Sequence, residues 1–164
     1  MLPQADTLHT FAEVGVGIAG FAGIVAVVDR RVGRRAENAA DPLAVLLIAS
    51  LGVVLFAFIP EWVASANVPT DIVWRASNGL FGAYRLAYLG IILLSAGRPP
   101  VGFQGRLALT VGAGLGGLHL VAAAGVLTEF HYFIYLSGLI WGLGVSVSNF
   151  ARLLLGAAHS GPAA

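Results

Sequence analysis

The sequence predicts an all-α fold, an integral membrane bundle of five transmembrane helices. The 164-residue chain is 58% hydrophobic and 10% charged, whereas about one quarter of the residues of a soluble domain are charged. Five apolar stretches each reach about 20 residues, the length of helix that crosses about 30 Å of hydrocarbon. Because the connections between them are too short for a soluble domain, we expect residues 1–164 to form a single membrane domain.

The first two predicted spans flank the basic segment DRRVGRRAENAAD. Span 1 covers residues 8–28, and no basic residue precedes it. A secretory signal needs a basic start, so we expect span 1 to be retained. Span 2, residues 43–64, is almost continuously apolar, as is typical of a helix that crosses a bilayer.

The other three spans carry further features. Span 3, residues 71–96, contains two arginines, and span 4, residues 107–127, contains the glycine-rich run VGAGLGGLHL. Span 5, residues 130–155, begins with aromatic residues. Aromatic side chains concentrate where a bilayer meets water, and those that we expect at the outer interface are Trp62, Trp74, Phe130, Tyr132 and Phe133.

Small residues recur four apart on three spans, which lets helix backbones approach closely in lipid. One subunit has more of these faces than its own neighbouring helices require, so we expect a homo-oligomer. The small-residue positions are Gly15, Ala19, Gly23, Gly112, Gly116, Gly138 and Gly142.

Arginine placement predicts the orientation of the spans, because short cytoplasmic loops keep the excess of basic residues. Seven of the nine arginines follow span 1, flank the loop after span 3 or end span 5; they are Arg30, Arg31, Arg34, Arg35, Arg98, Arg106 and Arg152. This places the N-terminus outside and the C-terminus in the cytoplasm. Richness in Gly, Ala and Arg suggests a prokaryote, and hence a multi-pass protein of the plasma (inner) membrane.

Composition excludes several kinds of chemistry. The chain has no cysteine and no lysine, which excludes disulfides, thiolate metal sites, Schiff bases and a Walker lysine. The net charge of +1 gives no reason to expect a nucleic-acid partner. The glycines of span 4 lie in mid-span, whereas a dinucleotide fingerprint follows a strand and opens a helix; we expect no nucleotide there.

Arg75 and Arg85 lie within span 3 and form part of one polar stripe. At 100° per residue, Asp71, Arg75, Asn78, Gly82 and Arg85 occupy an arc of about 80° on a helix. Arg85 lies about 21 Å along the helix from Asp71, near the middle of the hydrocarbon. Because a charge at that depth costs about 2.5 kcal/mol or more, such a stripe faces protein or water.

The inward continuation of this stripe is apolar, since Leu89 and Leu93 occupy the same face. We interpret these two leucines as a hydrophobic gate that closes a vestibule open to the outside. The other spans offer polar partners for the stripe, and the expected lining or binding residues are Glu13, His119, Tyr135 and Asn149. Glu13 lies at the depth of Arg75 and is its expected ionic partner, whereas no acidic residue matches the depth of Arg85.

The sequence gives no recognisable metal, haem or hydrolytic site. His9, His119 and His131 fall in the outer half of the bundle but lack paired ligand spacings such as HExxH. No serine has a matching histidine and carboxylate. We therefore expect no metal and no cofactor, and a protein that is not an enzyme.

Three functions agree with these features. The first is a pathway for small ions or solutes, favouring anions, which Arg75, Asn78 and Arg85 line or gate. The second is a non-conducting scaffold, sensor or effector subunit in which the charges hold helices together. The third is an intramembrane enzyme that acts on lipids or a redox carrier. The expected partners are the lipid bilayer, further copies of the chain and a small ion or solute.

Overall fold

The computed structural model describes residues 4–31, 42–95 and 103–159. It contains five long helices and, within the described residues, no strand. A single 3₁₀ turn, Thr128–Phe130, precedes the last helix. The long helices are α1 (Ala5–Arg31), α2 (Pro42–Ala64), α3 (Thr70–Ser95), α4 (Phe103–Ala123) and α5 (His131–His159).

All five helices are long and apolar enough to cross a membrane. This confirms the prediction of an all-helical chain with five candidate spans. Large apolar side chains cover much of the surface; Leu94 is 88% exposed and Phe133 is 74% exposed. A lipid-facing surface has this composition, because lipid does not penalise exposed apolar groups. The orientation, the single-domain organisation and the choice of membrane remain predictions.

The fourth helix is shorter at its C-terminal end than the predicted span. α4 ends at Ala123, whereas we expected span 4 to reach residue 127. Gly125 has a φ of +84°, a left-handed conformation that glycine adopts without steric cost and that commonly ends a helix. Its amide donates to the Ala122 carbonyl oxygen at 2.9 Å. The apolar sequence therefore continued past the point at which the backbone stopped being helical.

The described residues fall into two compact units. Residues 59–141 form the first, which contains α3, α4 and the start of α5; we call it the α3–α4 unit. Residues 4–58 and 142–164, as far as they are described, form the second, which we call the α1–α2 unit.

In the α3–α4 unit, two glycines bring α3 and α4 into close contact. A Cβ added at Gly82 would lie 2.9 Å from the Gly116 carbonyl oxygen, and one added at Gly116 would lie 2.9 Å from Leu86. Neither position has room for a larger side chain. Gly116 therefore packs as its small-residue pattern predicts, and it meets a glycine from the polar stripe of span 3.

In the α1–α2 unit, glycines again mark close contacts. A Cβ at Gly15 would lie 2.9 Å from Val54, and one at Gly142 would lie 2.6 Å from Val53. By contrast, a Cβ at Gly17 or Gly20 would meet nothing within 4 Å. The helix α1 thus has one tightly packed glycine face and one open face.

The expected aromatic belt is only partly present. Trp62 is 69% exposed, and Phe130 and Phe133 are also exposed. Trp74, however, is buried, with its ring centroid 5.2 Å from that of Tyr132 and 5.8 Å from that of Tyr135. The position of Trp74 on α3 turns its indole towards α5, while the depth of these aromatic residues in a membrane remains a prediction.

Candidate functional site

A buried polar cluster lies between α3, α4 and the first turns of α5, and Asn78 is at its centre. The Asn78 side-chain amide donates to the Trp74 carbonyl oxygen at 2.8 Å and to the His131 carbonyl oxygen at 3.2 Å. Its Oδ1 lies 2.7 Å from His119 Nδ1. Since the amide nitrogen makes the two donations, Oδ1 is the acceptor and His119 Nδ1 carries the hydrogen. One amide thus links three helices.

The other ring nitrogen of His119, Nε2, has no hydrogen-bond partner within the described ranges. His119 is fully buried, and its Nε2 makes no hydrogen bond with any described residue. The ring lies 4.8 Å from Phe81 and 6.2 Å from Tyr135, centroid to centroid. Against its Nε2 lies Gly138, where an added Cβ would be only 2.5 Å away. The rings of Phe81 and Tyr135 and the backbone of Gly138 therefore surround the Nε2 atom.

Arg85 lies beside these aromatic rings and has no acidic partner in the part of the chain that the structure describes. Its Nη2 donates to the Gly138 carbonyl oxygen, and its Cζ lies 4.6 Å from the centroid of the Phe81 ring. Its Nε is buried with no hydrogen-bond partner among the described residues. No carboxylate of a described residue forms an ion pair with it. The guanidinium therefore lies against a carbonyl oxygen and an aromatic ring, and its Nε donor has no acceptor among the described residues.

Arg75 has a different environment from Arg85. Its Nε donates to the Ala123 carbonyl oxygen at 3.1 Å, and its Nη1 lies 3.8 Å from Asp71 Oδ2. The last carbonyls of a helix lack partners within that helix and attract cations. Arg75 thus caps the C-terminal end of α4, and an acidic residue of its own helix compensates its charge.

The turn after α4 packs closely against the guanidinium of Arg75. A Cβ at Gly125 would lie 3.2 Å from Arg75 Cζ, and the left-handed backbone there already disfavours any other residue. We expect Gly125→Ala to lower the free energy of unfolding by about 1–2 kcal/mol. The measurement is unfolding in mixed detergent micelles. Gly114→Ala, within α4, is the control, because no described atom lies within 4 Å of an added Cβ there; an equal loss in both variants would contradict the cap.

Asp71 also contacts a histidine that opens α5. Asp71 Oδ1 lies 3.7 Å from His131 Nδ1, an ion pair when the imidazole is protonated. His131 is buried, and its Nε2 has no hydrogen-bond partner among the described residues. Asp71 thus lies between Arg75 and His131. The cluster therefore extends from Asp71, which is half exposed, to the buried His119.

The structure thus brings five of the predicted lining or binding residues into one unit: Arg75, Asn78, Arg85, His119 and Tyr135. Glu13 and Asn149 belong to the α1–α2 unit, so the expected ion pair between Glu13 and Arg75 remains a prediction. Asn149 donates to the Val145 carbonyl oxygen of its own helix at 2.8 Å. Of the expected gate residues, Leu89 is half-buried and Leu93 is 63% exposed.

Four residues of the cluster were absent from the predicted site: Trp74, Phe81, His131 and Gly138. Phe81 precedes Arg85 by four residues, a spacing that places two side chains side by side on a helix, so the sequence contained that signal. Trp74, His131 and Gly138 take part in hydrogen bonds through backbone carbonyls, which side-chain patterns do not reveal.

Among the described residues, no group of three His, Asp or Glu side chains is arranged to hold a metal ion. The chemistry available to the cluster is hydrogen bonding and charge. The free donor of Arg85 suits an acceptor or an anion, and the Nε2 lone pair of a neutral His119 suits a donor. Comparison with protein-family models, curated proteins and solved structures found no match for this chain.

Proposed function

We propose that this chain forms, as a homo-oligomer, a membrane pathway for small ions or solutes that favours anions, with Arg85 as the binding group. The observation that supports the proposal is the guanidinium of Arg85, which lies deep in a candidate span without a carboxylate partner among the described residues. The proposed topology places the N-terminus outside and the C-terminus in the cytoplasm of a prokaryotic inner membrane.

An uncompensated cation in a span attracts an anion for a simple physical reason. Removal of a charged group from water costs several kcal/mol or more, and only a counter-charge or polar contacts recover that energy. Contacts of Arg85 with the Gly138 carbonyl oxygen and with the Phe81 ring recover part of that energy. The unpartnered Nε leaves one charge-assisted hydrogen bond for an incoming anion.

The neighbouring residues support this role in different ways. Asn78, His119 and Tyr135 are fully buried, so in this conformation they pack against one another rather than line an open track. We propose that they hold α3, α4 and the start of α5 in place around Arg85, and that this conformation is closed. Leu89 and Leu93 remain the proposed gate.

We expect Arg85→Gln to lower chloride flux into proteoliposomes about tenfold or more, since one charge-assisted hydrogen bond is worth about 1.5–3 kcal/mol. Arg75→Gln is the matched control. It removes the same charge from the same helix, but Asp71 already compensates that charge, so we expect the flux to fall less than threefold. The measurement is chloride efflux per reconstituted protein. Equal flux for the wild type and Arg85→Gln, above that of empty liposomes, would exclude Arg85 from the mechanism.

The second candidate is a non-conducting scaffold, sensor or effector subunit. The observation that favours it is the Asn78 amide, whose two donations and one acceptance are all satisfied inside the protein. A polar group of this kind can serve only to fix how helices pack. Wild-type protein that gives no flux above empty liposomes, while remaining folded, would favour this candidate over the pathway.

A further inference from the structure

A groove crosses the surface of the α1–α2 unit where α1 lies beside α2. It has a volume of about 590 Å³ and is lined by His9, Ala12, Glu13, Val16, Gly17 and Phe58. Ligand pockets for small molecules have volumes of about 300–1,000 Å³. Because Gly17 has no side chain and nothing else occupies the space next to it, the groove is open along α1.

Among the described residues that line this groove, Glu13 is the carboxylate and His9 is the other polar side chain, while the rest are apolar. The side chain of Glu13 is exposed and makes no hydrogen bond or ion pair with any described residue of its own unit. Glu13 lies eight residues into the candidate span Ala5–Val25, or about 12 Å along the helix axis. An ionised carboxylate at such a depth is costly unless a cation compensates it. The carboxylate of the groove therefore favours a ligand that carries a positive charge.

The walls of the groove favour a cation that also has apolar surface. Phe58 is exposed, and its ring centroid lies 5.7 Å from that of His9. An aromatic face attracts an organic cation through its quadrupole, and the attraction strengthens where water is excluded. Val16 and Ala12 add aliphatic surface. A small inorganic cation would leave this aromatic and aliphatic surface without contacts.

We propose that this groove binds a hydrophobic organic cation, such as a quaternary ammonium or arylphosphonium compound, with Glu13 as its counter-charge and Phe58 as its aromatic wall. The proposal does not rest on anion conduction, since none of its residues belongs to the Arg85 cluster. A second copy of the chain is the competing occupant, and the experiment below distinguishes the two. Concavity and a volume in the small-molecule range favour the small ligand.

The experiment measures binding of tetraphenylphosphonium to the purified full chain in detergent by isothermal titration calorimetry. We expect Glu13→Gln to weaken binding about tenfold or more, because the charge of the carboxylate is lost. Asp6→Asn is the matched control: it removes the same charge from the same helix, at a residue outside the groove, and we expect its affinity to change less than twofold. Phe58→Leu keeps the charge of the groove and an apolar side chain at its wall but removes the aromatic ring, and it should weaken binding several-fold.

A ligand of the same shape and opposite charge completes the test. We expect tetraphenylborate to bind at least tenfold more weakly than tetraphenylphosphonium. Equal binding of the two ions, or an equal loss in Glu13→Gln and Asp6→Asn, would overturn the proposal. So would a dimer in light scattering that Glu13→Gln dissociates while wild-type protein fails to bind the cation, since a second copy would then occupy the groove. Thermal melting of each variant identifies any that fails to fold, and the Phe58→Leu and tetraphenylborate results decide the proposal in that case.

Discussion

Gly138→Ala is expected to lower the free energy of unfolding by about 3 kcal/mol, the upper end of the usual cost of overpacking a core. The added Cβ would lie 2.5 Å from His119 Nε2 and 2.7 Å from Phe81 Cε1. Contacts this short require one side to move. In an uncrowded helix the same change raises the stability by about 0.5–1 kcal/mol. A loss of stability would therefore indicate that the Gly138 backbone packs closely against its neighbours.

Movement of His119 or Phe81 would break other contacts of these side chains. His119 is held by Asn78 through Nδ1, and its ring lies against those of Phe81 and Tyr135. Phe81 in turn contacts Tyr135 and carries the guanidinium of Arg85 over its face. Relief of the clash therefore breaks the Asn78 hydrogen bond or shifts Arg85 away from the Gly138 carbonyl oxygen.

The matched control for this change is Gly144→Ala, six residues further along α5. Nothing lies within 4 Å of a Cβ added at Gly144, so we expect no loss of stability there. Unfolding of both variants in mixed micelles, followed by tryptophan fluorescence, gives the two free energies. If Gly138→Ala is as stable as Gly144→Ala, then His119 does not pack against the Gly138 backbone as described.

The fold was largely predictable from the sequence because the membrane imposes a simple rule. A span must satisfy its own backbone hydrogen bonds and present apolar side chains for about 20 residues, and both properties can be read locally. The end of α4 is a feature that this rule does not predict. The residues from Ala124 to Leu127 are as apolar as the helix before them, but Gly125 takes a left-handed conformation, and apolarity contains no information about backbone dihedrals.

The candidate site was predictable to the extent that it depends on helical faces. The periodicity of span 3 placed Asn78 and Arg85 on one face, and the structure places both beside His119. The same periodicity placed Arg75 with them and could not anticipate its role as the cap of α4, because that role depends on where another helix ends. Likewise, the acceptor for Arg85 is a backbone carbonyl, which every residue carries, so no side-chain pattern could have indicated Gly138.

Asn78→Leu is expected to lower the free energy of unfolding by about 2 kcal/mol, because it keeps the branched heavy-atom shape of the side chain while removing three hydrogen bonds of about 0.6 kcal/mol each in a membrane protein. It also leaves the His119 Nδ1 hydrogen without an acceptor in a buried site. Asn149→Leu is the matched control on α5. Its amide bonds only to the Val145 carbonyl oxygen of its own helix, so we expect a change of about 0.5 kcal/mol or less.

The pair Asn78 and His119 can be tested as a unit, because the cost of losing one partner exceeds the cost of losing both. A buried donor without an acceptor costs about 1–3 kcal/mol, whereas replacement of both partners by apolar groups can be nearly neutral. We therefore expect the double variant Asn78→Leu with His119→Leu to be about 1 kcal/mol more stable than the sum of the single effects predicts. Strict additivity would mean that the hydrogen bond between Oδ1 and Nδ1 contributes nothing, and that aromatic packing alone holds His119 next to Gly138.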